Sequence, residues 1–561
     1  MPQFRQRVVL GVAVFAAVAG WLGVHGSGQI AVPARVIVDR TGPSAIERGI
    51  SPVATRTPGS PEELRRLSIR STTRAADRIG RSGSAYVPGR VIVKFKDGTS
   101  AAAKSRAMST VSRSAAMSAR PDYANFDVVT IDPAEDAEAA AQAFSARPDV
   151  EYAQAAYRMH TQFVPNDAFY PNQWNLPLID MERAWDIQPQ AGSAITVAVV
   201  DTGVAYTTTT MHFHANAFKV DSEGLTEPPT APGGTLYPAL GDLTLSFVAA
   251  TELGPSSRFV APHDFIWNDS TPVDLDGHGT HVSGTLGQLT NNGSNGQGDT
   301  RNGGGTAGVA FNVKIMPVKV IDSDWDDIFG SPNQGTDDVV ARGVRYAADN
   351  GAQIINMSIG RTGTSAPVLE DAIKYAVGKG AFVVIAAGND FQDGNPTEEP
   401  AEIATRVQGA VSVAAVDRNK AHAPYSSTGT WVELAAPGGD FGPAESDASG
   451  GILQQTLDLD LVDTFQLSVA KFTAPRFDAL AYFYFTGTSM ATPHVSGVAA
   501  LLMQQGITKP AAIEAALEKT AVPCNEGQNT CSTSIAANRN NTYGFGLIEA
   551  RSALRGLGLA R

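Results

Sequence analysis

The sequence predicts an α/β fold: a doubly wound, mostly parallel sheet with helices on both faces, preceded by a small α+β unit. Three observations predict it. Short apolar runs at 195–200, 313–320, 353–358, 381–386 and 410–415 lack polar alternation, as strands buried on both faces do. Amphipathic helical stretches at 278–289, 336–350 and 366–377 lie between those runs. Asp201, Ser358 and Asn389 each fall at the C-terminal end of such a strand, where open α/β sheets carry their chemistry.

Taken in order, residues 1–26 read as an export signal. Arg5 and Arg7 precede an uncharged apolar run over 8–24, and an uncleaved membrane anchor is the alternative. Residues 27–86 are rich in Ser, Thr, Pro, Arg and Gly and read as a flexible basic linker. From residue 87 to about 160 the pattern changes to strands at 90–96, 126–131 and 150–156 and an Ala-rich helix at 134–146. The main domain takes 161–561. Its helix at 336–350 has Thr336 in the capping position and Gly351 just past its end. An apolar helix is expected over 495–503, with Pro493 in its first turn, where a missing N–H costs nothing. Two stretches interrupt the pattern: 206–256, read as irregular, and 438–486, including 457–465. Lids, cleft rims and surface decoration are the readings open to them.

The chain has 561 residues, 43% hydrophobic and 18% charged, which suits a large globular core. Its net charge of −13 is unevenly spread. Residues 1–160 carry 21 basic and 14 acidic side chains; the remainder carries 22 and 42, a net −20. So acidic a body argues against nucleic acid as a partner. The two cysteines, Cys524 and Cys531, lie close together, and in an exported protein a local disulfide is expected.

Three motifs carry chemistry. Val197-Ala198-Val199-Val200-Asp201-Thr202-Gly203 ends an apolar strand in a carboxylate. Asp276-Gly277-His278-Gly279-Thr280-His281 opens a helix on a histidine. Gly487-Thr488-Ser489-Met490-Ala491-Thr492-Pro493-His494 sets a serine at or just before a helix N-terminus, where backbone N–H groups lack intrahelical acceptors. A serine is a poor nucleophile without a base, and the base needs an orienting acid. Together and in this order, the motifs resemble those of the subtilisin-like (subtilase) serine peptidases. The 87–160 unit resembles the propeptide of that family.

The resemblance implies Ser489 as nucleophile, His278 as general base and Asp201 as its orienting acid. Asn389, after Ala386-Ala387-Gly388, resembles the family's oxyanion-hole asparagine. Ser358-Ile359-Gly360 resembles the edge on which an extended substrate adds as a strand, with Ala386, Ala387 and Gly388 as the opposite wall of the specificity pocket. Glu398, Glu399 and Glu402 read as an exposed acidic loop, the alternative being a pocket floor that favours a basic residue. His281 and His494 read as structural. His212 and His214 form an H-x-H without further ligands. Calcium is the one cofactor implied, through the oxygen-rich insertion at 291–299, although 205–210 offers no acidic ligand; no organic cofactor is expected. The acidic cluster Asp322, Asp324, Asp326 and Asp327 reads as a solvated loop. The expected partners are polypeptide substrates and the chain's own propeptide as inhibitor, and a monomer is expected. The rivals are a catalytically silent binding protein on the same fold and an esterase of the α/β-hydrolase type. The latter needs G-x-S-x-G, where this chain has Ala491 in place of the last Gly.

Overall fold

The structure is a computed structural model describing residues 35–38, 86–118, 120, 123–157, 163–221, 226–291, 305–363, 365–466 and 468–556. The expected export signal, the boundary near 160 and most of the 291–299 insertion lie outside these residues. Within the stretch read as a linker, Arg35–Val38 is a strand pairing in parallel with Leu480–Thr486. No helix among the described residues is long and apolar enough to cross a membrane.

The N-terminal unit is a four-stranded antiparallel sheet. Tyr86–Phe95 lies between Asp127–Thr130 and Val150–Tyr157, with Ala116–Met117 at the edge. Val91, Val93, Val129 and Phe144 fill its core, and the helix Ala137–Ser145 is capped by the Asp136 carboxylate. A second helix, Ala101–Val111, was not legible: only Ala107 of its residues is buried, so it writes almost no apolar stripe.

The main domain is built on seven strands: β1 (Thr196–Asp201), β2 (His263–Asp264), β3 (Lys314–Lys319), β4 (Ile354–Met357), β5 (Phe382–Ala386), β6 (Ala410–Val416) and β7 (Leu434–Pro437). They run in the order β2-β3-β1-β4-β5-β6-β7, every pair parallel. Alternate residues of β1 serve two cores. Val197 and Val199 join the core that holds helices α1 (His278–Gly287) and α4 (Thr488–Gln504). Ala198 and Val200 join the one that holds α2 (Asp337–Asp349) and α3 (Pro367–Gly378). Helix α5 (Pro510–Thr520) packs near β5 and β6. After β7, strands β8 (Ile452–Leu457) and β9 (Leu480–Thr486) form an antiparallel pair leading into α4.

Three expectations are corrected here, and a fourth, Thr336 at the cap of α2, holds in position though not in its side-chain bond. The stretch 206–256 is not irregular: Thr209–Ala215 pairs with Gly241–Phe247 in full antiparallel register. The cluster 322–327 is no solvated loop. Ser323 and Asp326 form a capping box, and the buried Asp326 carboxylate meets the buried Lys319 ammonium at 2.8 Å. Thr336 stands at the cap of α2 but its hydroxyl turns to Asp338 instead of the helix N–H groups. Finally, α4 starts at Thr488, so Pro493 lies inside the helix, not in its first turn.

Candidate active site

The misplaced proline explains a contact. A proline at 493 cannot donate to the carbonyl four residues earlier, which belongs to Ser489. That carbonyl instead accepts from Ser358 Oγ at 2.8 Å, and Ser489 Oγ donates back to the Ser358 carbonyl at 3.0 Å. The exchange ties the start of α4 to the end of β4. Behind it runs a buried relay that the sequence did not reveal: Ser496 Oγ donates to Asn356 Oδ1, and Asn356 Nδ2 to Ser358 Oγ, at 2.8 and 2.9 Å. Ser489 is the second residue of α4, so its N–H has no acceptor within the helix.

Asp201 is fully buried at the end of β1. Its Oδ1 accepts from His278 Nδ1 at 2.6 Å and from the Thr202 N–H at 2.8 Å. Burial pushes its carboxyl up, and the imidazole and the Thr202 N–H pull it back. With Nδ1 donating to a carboxylate, the acceptor nitrogen of a neutral His278 is Nε2. Gly279 permits this approach: a Cβ there would lie 2.1 Å from the Gly203 carbonyl oxygen and 3.0 Å from Asp201 Oδ1.

Asp274 organises the turn before α1 and was missed in the sequence. One carboxylate accepts from the N–H groups of Asp276, Gly277 and Thr280 and from the hydroxyls of Thr202 and Thr280, at 2.6–3.0 Å. The sole sequence signal was its place two residues ahead of Asp276 in the histidine motif.

Asn389 follows β5. Its Oδ1 accepts from both the N–H and the hydroxyl of Thr488, each at 2.9 Å. A backbone N–H can only donate, so this contact fixes the amide's orientation and turns Nδ2 away from Thr488. Residues 358–360 run into Arg361–Thr362, which pairs with Glu398–Glu399, while Ala387 is held by its N–H to the Val413 carbonyl. The acidic loop is not exposed: Glu398 and Glu399 are buried. A Cβ on Gly388, whose φ is +107°, would strike Glu398 Cγ at 2.3 Å, so the carboxylate chain fills the space a side chain would take. Ser427 Oγ donates to Glu398 Oε1, and burial with the neighbouring Asp390 pushes the Glu398 carboxyl up to about 8.

The other histidines have structural partners. His281 Nε2 lies 3.0 Å from the Ile452 carbonyl, its ring stacks on Phe485, and burial pushes it down to about 3. His494 bridges Met490 O and Asn175 Nδ2 and is pushed down to about 4. His212 and His214 sit on the exposed face of the hairpin beside Thr244 and Asp242. At the entrance to the calcium-suited insertion, Asn291 Oδ1 already accepts from the Asn166 N–H, and the Asp167 carboxylate accepts from the Asn291 N–H. Cys524 and Cys531 form a disulfide.

Residues 192–546 match the subtilase family, and residues 74–155 match the fervidolysin N-terminal prodomain. The chain is 31% identical over 444 residues to a thermophilic serine proteinase of Bacillus sp. (strain AK1), covering 79% of this chain and 84% of that protein. It is 32% identical over 362 residues to thermitase of Thermoactinomyces vulgaris, 64% of this chain and 92% of the relative. It is 29% identical over 459 residues to an extracellular protease of Xanthomonas campestris pv. campestris, 77% and 68% of the two chains. With the subtilase match covering well over half its length, this chain belongs to the subtilase family and is a serine endopeptidase.

Proposed function

We propose that the protein is a secreted endopeptidase that cleaves proteins through an acyl-enzyme and is made as a self-processing precursor. The observation that carries this is the 2.6 Å contact between buried Asp201 and His278; Ser489, at the start of α4 with no helical acceptor for its N–H, is the nucleophile in this reading. Ser489 Oγ leaves the Ser358 carbonyl and attacks the scissile carbonyl carbon, passing its proton to His278 Nε2. Asp201 keeps the Nδ1 proton in place and stabilises the imidazolium. Negative charge collects on the carbonyl oxygen, which Asn389 Nδ2 and the Ser489 N–H receive. His278 then protonates the leaving amine, and water, activated by the same imidazole, releases the acid.

The substrate adds as a strand along Ser358, Ile359 and Gly360. Ala386, Ala387 and Gly388 wall the pocket for the residue before the cut bond, and Glu398 closes it behind Gly388. Residues 1–26 are the export signal and 27–86 a spacer. Residues 87–160 fold as an inhibitor that leaves when the chain is cut near 160, and 161–561 is the working enzyme, a monomer. Extracellular relatives support export. Any calcium held by 291–299 is structural and takes no part in these steps.

Ser489→Ala tests the reading. The variant should hydrolyse no casein and remain uncut near residue 160 when expressed alone. If it still matures unaided, self-processing is wrong; if it still hydrolyses casein, Ser489 is not the nucleophile.

A further inference from the structure

We propose that Glu433, Glu514 and Glu518 hold a divalent, oxygen-seeking cation of the calcium type, at the end of the sheet opposite Asp201. Glu433 directly precedes β7, and the other two lie one turn apart on α5. One carboxylate oxygen from each residue lies within 4.8 Å of the other two. Oxygens that share a calcium at about 2.3–2.6 Å cannot be much more than about 5 Å apart, so the spacing fits one ion.

Glu433 is the observation that points to a ligand. It is 8% exposed, and its Oε2 is buried without a hydrogen-bond partner. Its backbone cannot swing the carboxylate into water. The Glu433 N–H donates to Ser412 O, its carbonyl accepts from the Phe545 N–H at 2.7 Å, and Gly544 packs directly on it. Glu514 is anchored as well, accepting from the Gly409 N–H. Spacing Glu514 and Glu518 four residues apart on a helix sets like charges over one another, an arrangement unfavourable without a counter-charge.

No lysine or arginine among the described residues forms an ion pair with the three. Arg539 and, beside Glu518, Lys519 are the near cations. Arg539 Nη2 donates to the carbonyls of Thr430 and Val432, and its guanidinium lies 5.5 Å from the Phe545 ring centroid. Acidic groups still outnumber basic ones at this spot, which suits a dication. A ligand set of oxygen alone, without imidazole or thiolate, favours a hard cation.

The test uses the full-length Ser489→Ala chain, which cannot digest itself, stripped with chelator and titrated with CaCl₂ by calorimetry and thermal melting. A second chain adds Glu514→Gln and Glu518→Gln. The parent should bind calcium with Kd no weaker than about 10⁻³ M and melt at higher temperature with it. The double variant should bind one equivalent fewer, which separates this site from any ion at 291–299. In chelator it should melt no lower than the parent, because two like charges are gone. Glu518→Gln alone, on a half-buried residue, should weaken the same equivalent at least about tenfold if the double variant folds poorly. An unchanged number of equivalents in either variant, or a parent that binds none, overturns the site.

Discussion

Replacing Gly279 with alanine should separate catalysis from stability. The added Cβ would sit 2.1 Å from the Gly203 carbonyl oxygen, whereas real Cβ contacts stay above 3.0 Å, so α1 must back away from β1 by about 1 Å. His278, the first residue of α1, moves with it. Its 2.6 Å contact to Asp201 would stretch to about 3.5 Å, the outer limit of a hydrogen bond. A misplacement of about 1 Å costs on the order of 10²-fold in rate, or about 2.7 kcal/mol of transition-state stabilisation. Stability should change less. Overpacking costs about 1–3 kcal/mol, and alanine in a helix returns about 1 kcal/mol relative to glycine. Gly378→Ala, at the exposed end of α3 with nothing near the new Cβ, supplies the propensity control. The assay is kcat/KM on a chromogenic peptide, with active sites counted by fluorophosphonate labelling, alongside calorimetric melting. If Gly279→Ala keeps kcat/KM within about threefold of the parent, the close seating of α1 on β1 is not what positions the imidazole.

Asp274→Asn should cost both activity and stability, since an amide nitrogen would face some of the five donors the carboxylate now accepts; the expected loss is about 1–3 kcal/mol, read as a melting point lower by several degrees. Glu398→Gln should act through pH. The carboxyl, raised to about 8 from an ordinary 4.5, is protonated at neutral pH and ionises beside Asp390 as pH climbs past 8. In the parent, preference for Lys over Leu before the cut bond should therefore rise between pH 7 and 9, and in the variant it should stay flat. Because the folded value is raised, the stability linked to this group is full below pH 4.5 and lost as pH rises through 8, so the variant should melt above the parent at pH 9.

The sheet was legible because burial on both faces leaves a signature that needs no knowledge of neighbours. Every residue of β4, β5, β6 and β7 is buried. Three of these four strands were read directly; β7, four residues long, passed unremarked. The hairpin Thr209–Ala215 with Gly241–Phe247 was not read although its pattern is legible: Met211, Phe213 and Ala215, and Leu243, Leu245 and Phe247, alternate with polar residues of the outer face, as strands covered on one side do. Polar residues that support the site were harder still. Asn356, Ser496 and Thr488 matter through partners on other elements, and no local pattern records which serine will meet which amide. Glu398 is buried because Gly388 leaves room for it, a fact about two positions ten residues apart that share no periodicity.

The two interruptions of the sheet pattern, read separately in the sequence, form one body. Phe247 stacks on Phe477 at 5.0 Å with their planes 1° apart, and the Val248 N–H donates to the Phe477 carbonyl. Phe218 stacks on Tyr237 and meets Phe465 and Phe472 edge-on, and Trp325 Nε1 donates to Val462 O. Aromatic pairs of this kind add about 0.5–1.5 kcal/mol each beyond the area they bury, so neither stretch can lift away without breaking its contacts with the other. The body is also tied to the histidine. Thr456 of β8 donates its hydroxyl to the Gly277 carbonyl, and His281 of α1 meets the carbonyls of Ile452 in β8 and Phe483 in β9. A lid would need a hinge and a free edge; these stretches instead brace the turn that presents His278, on the side of α1 away from β1.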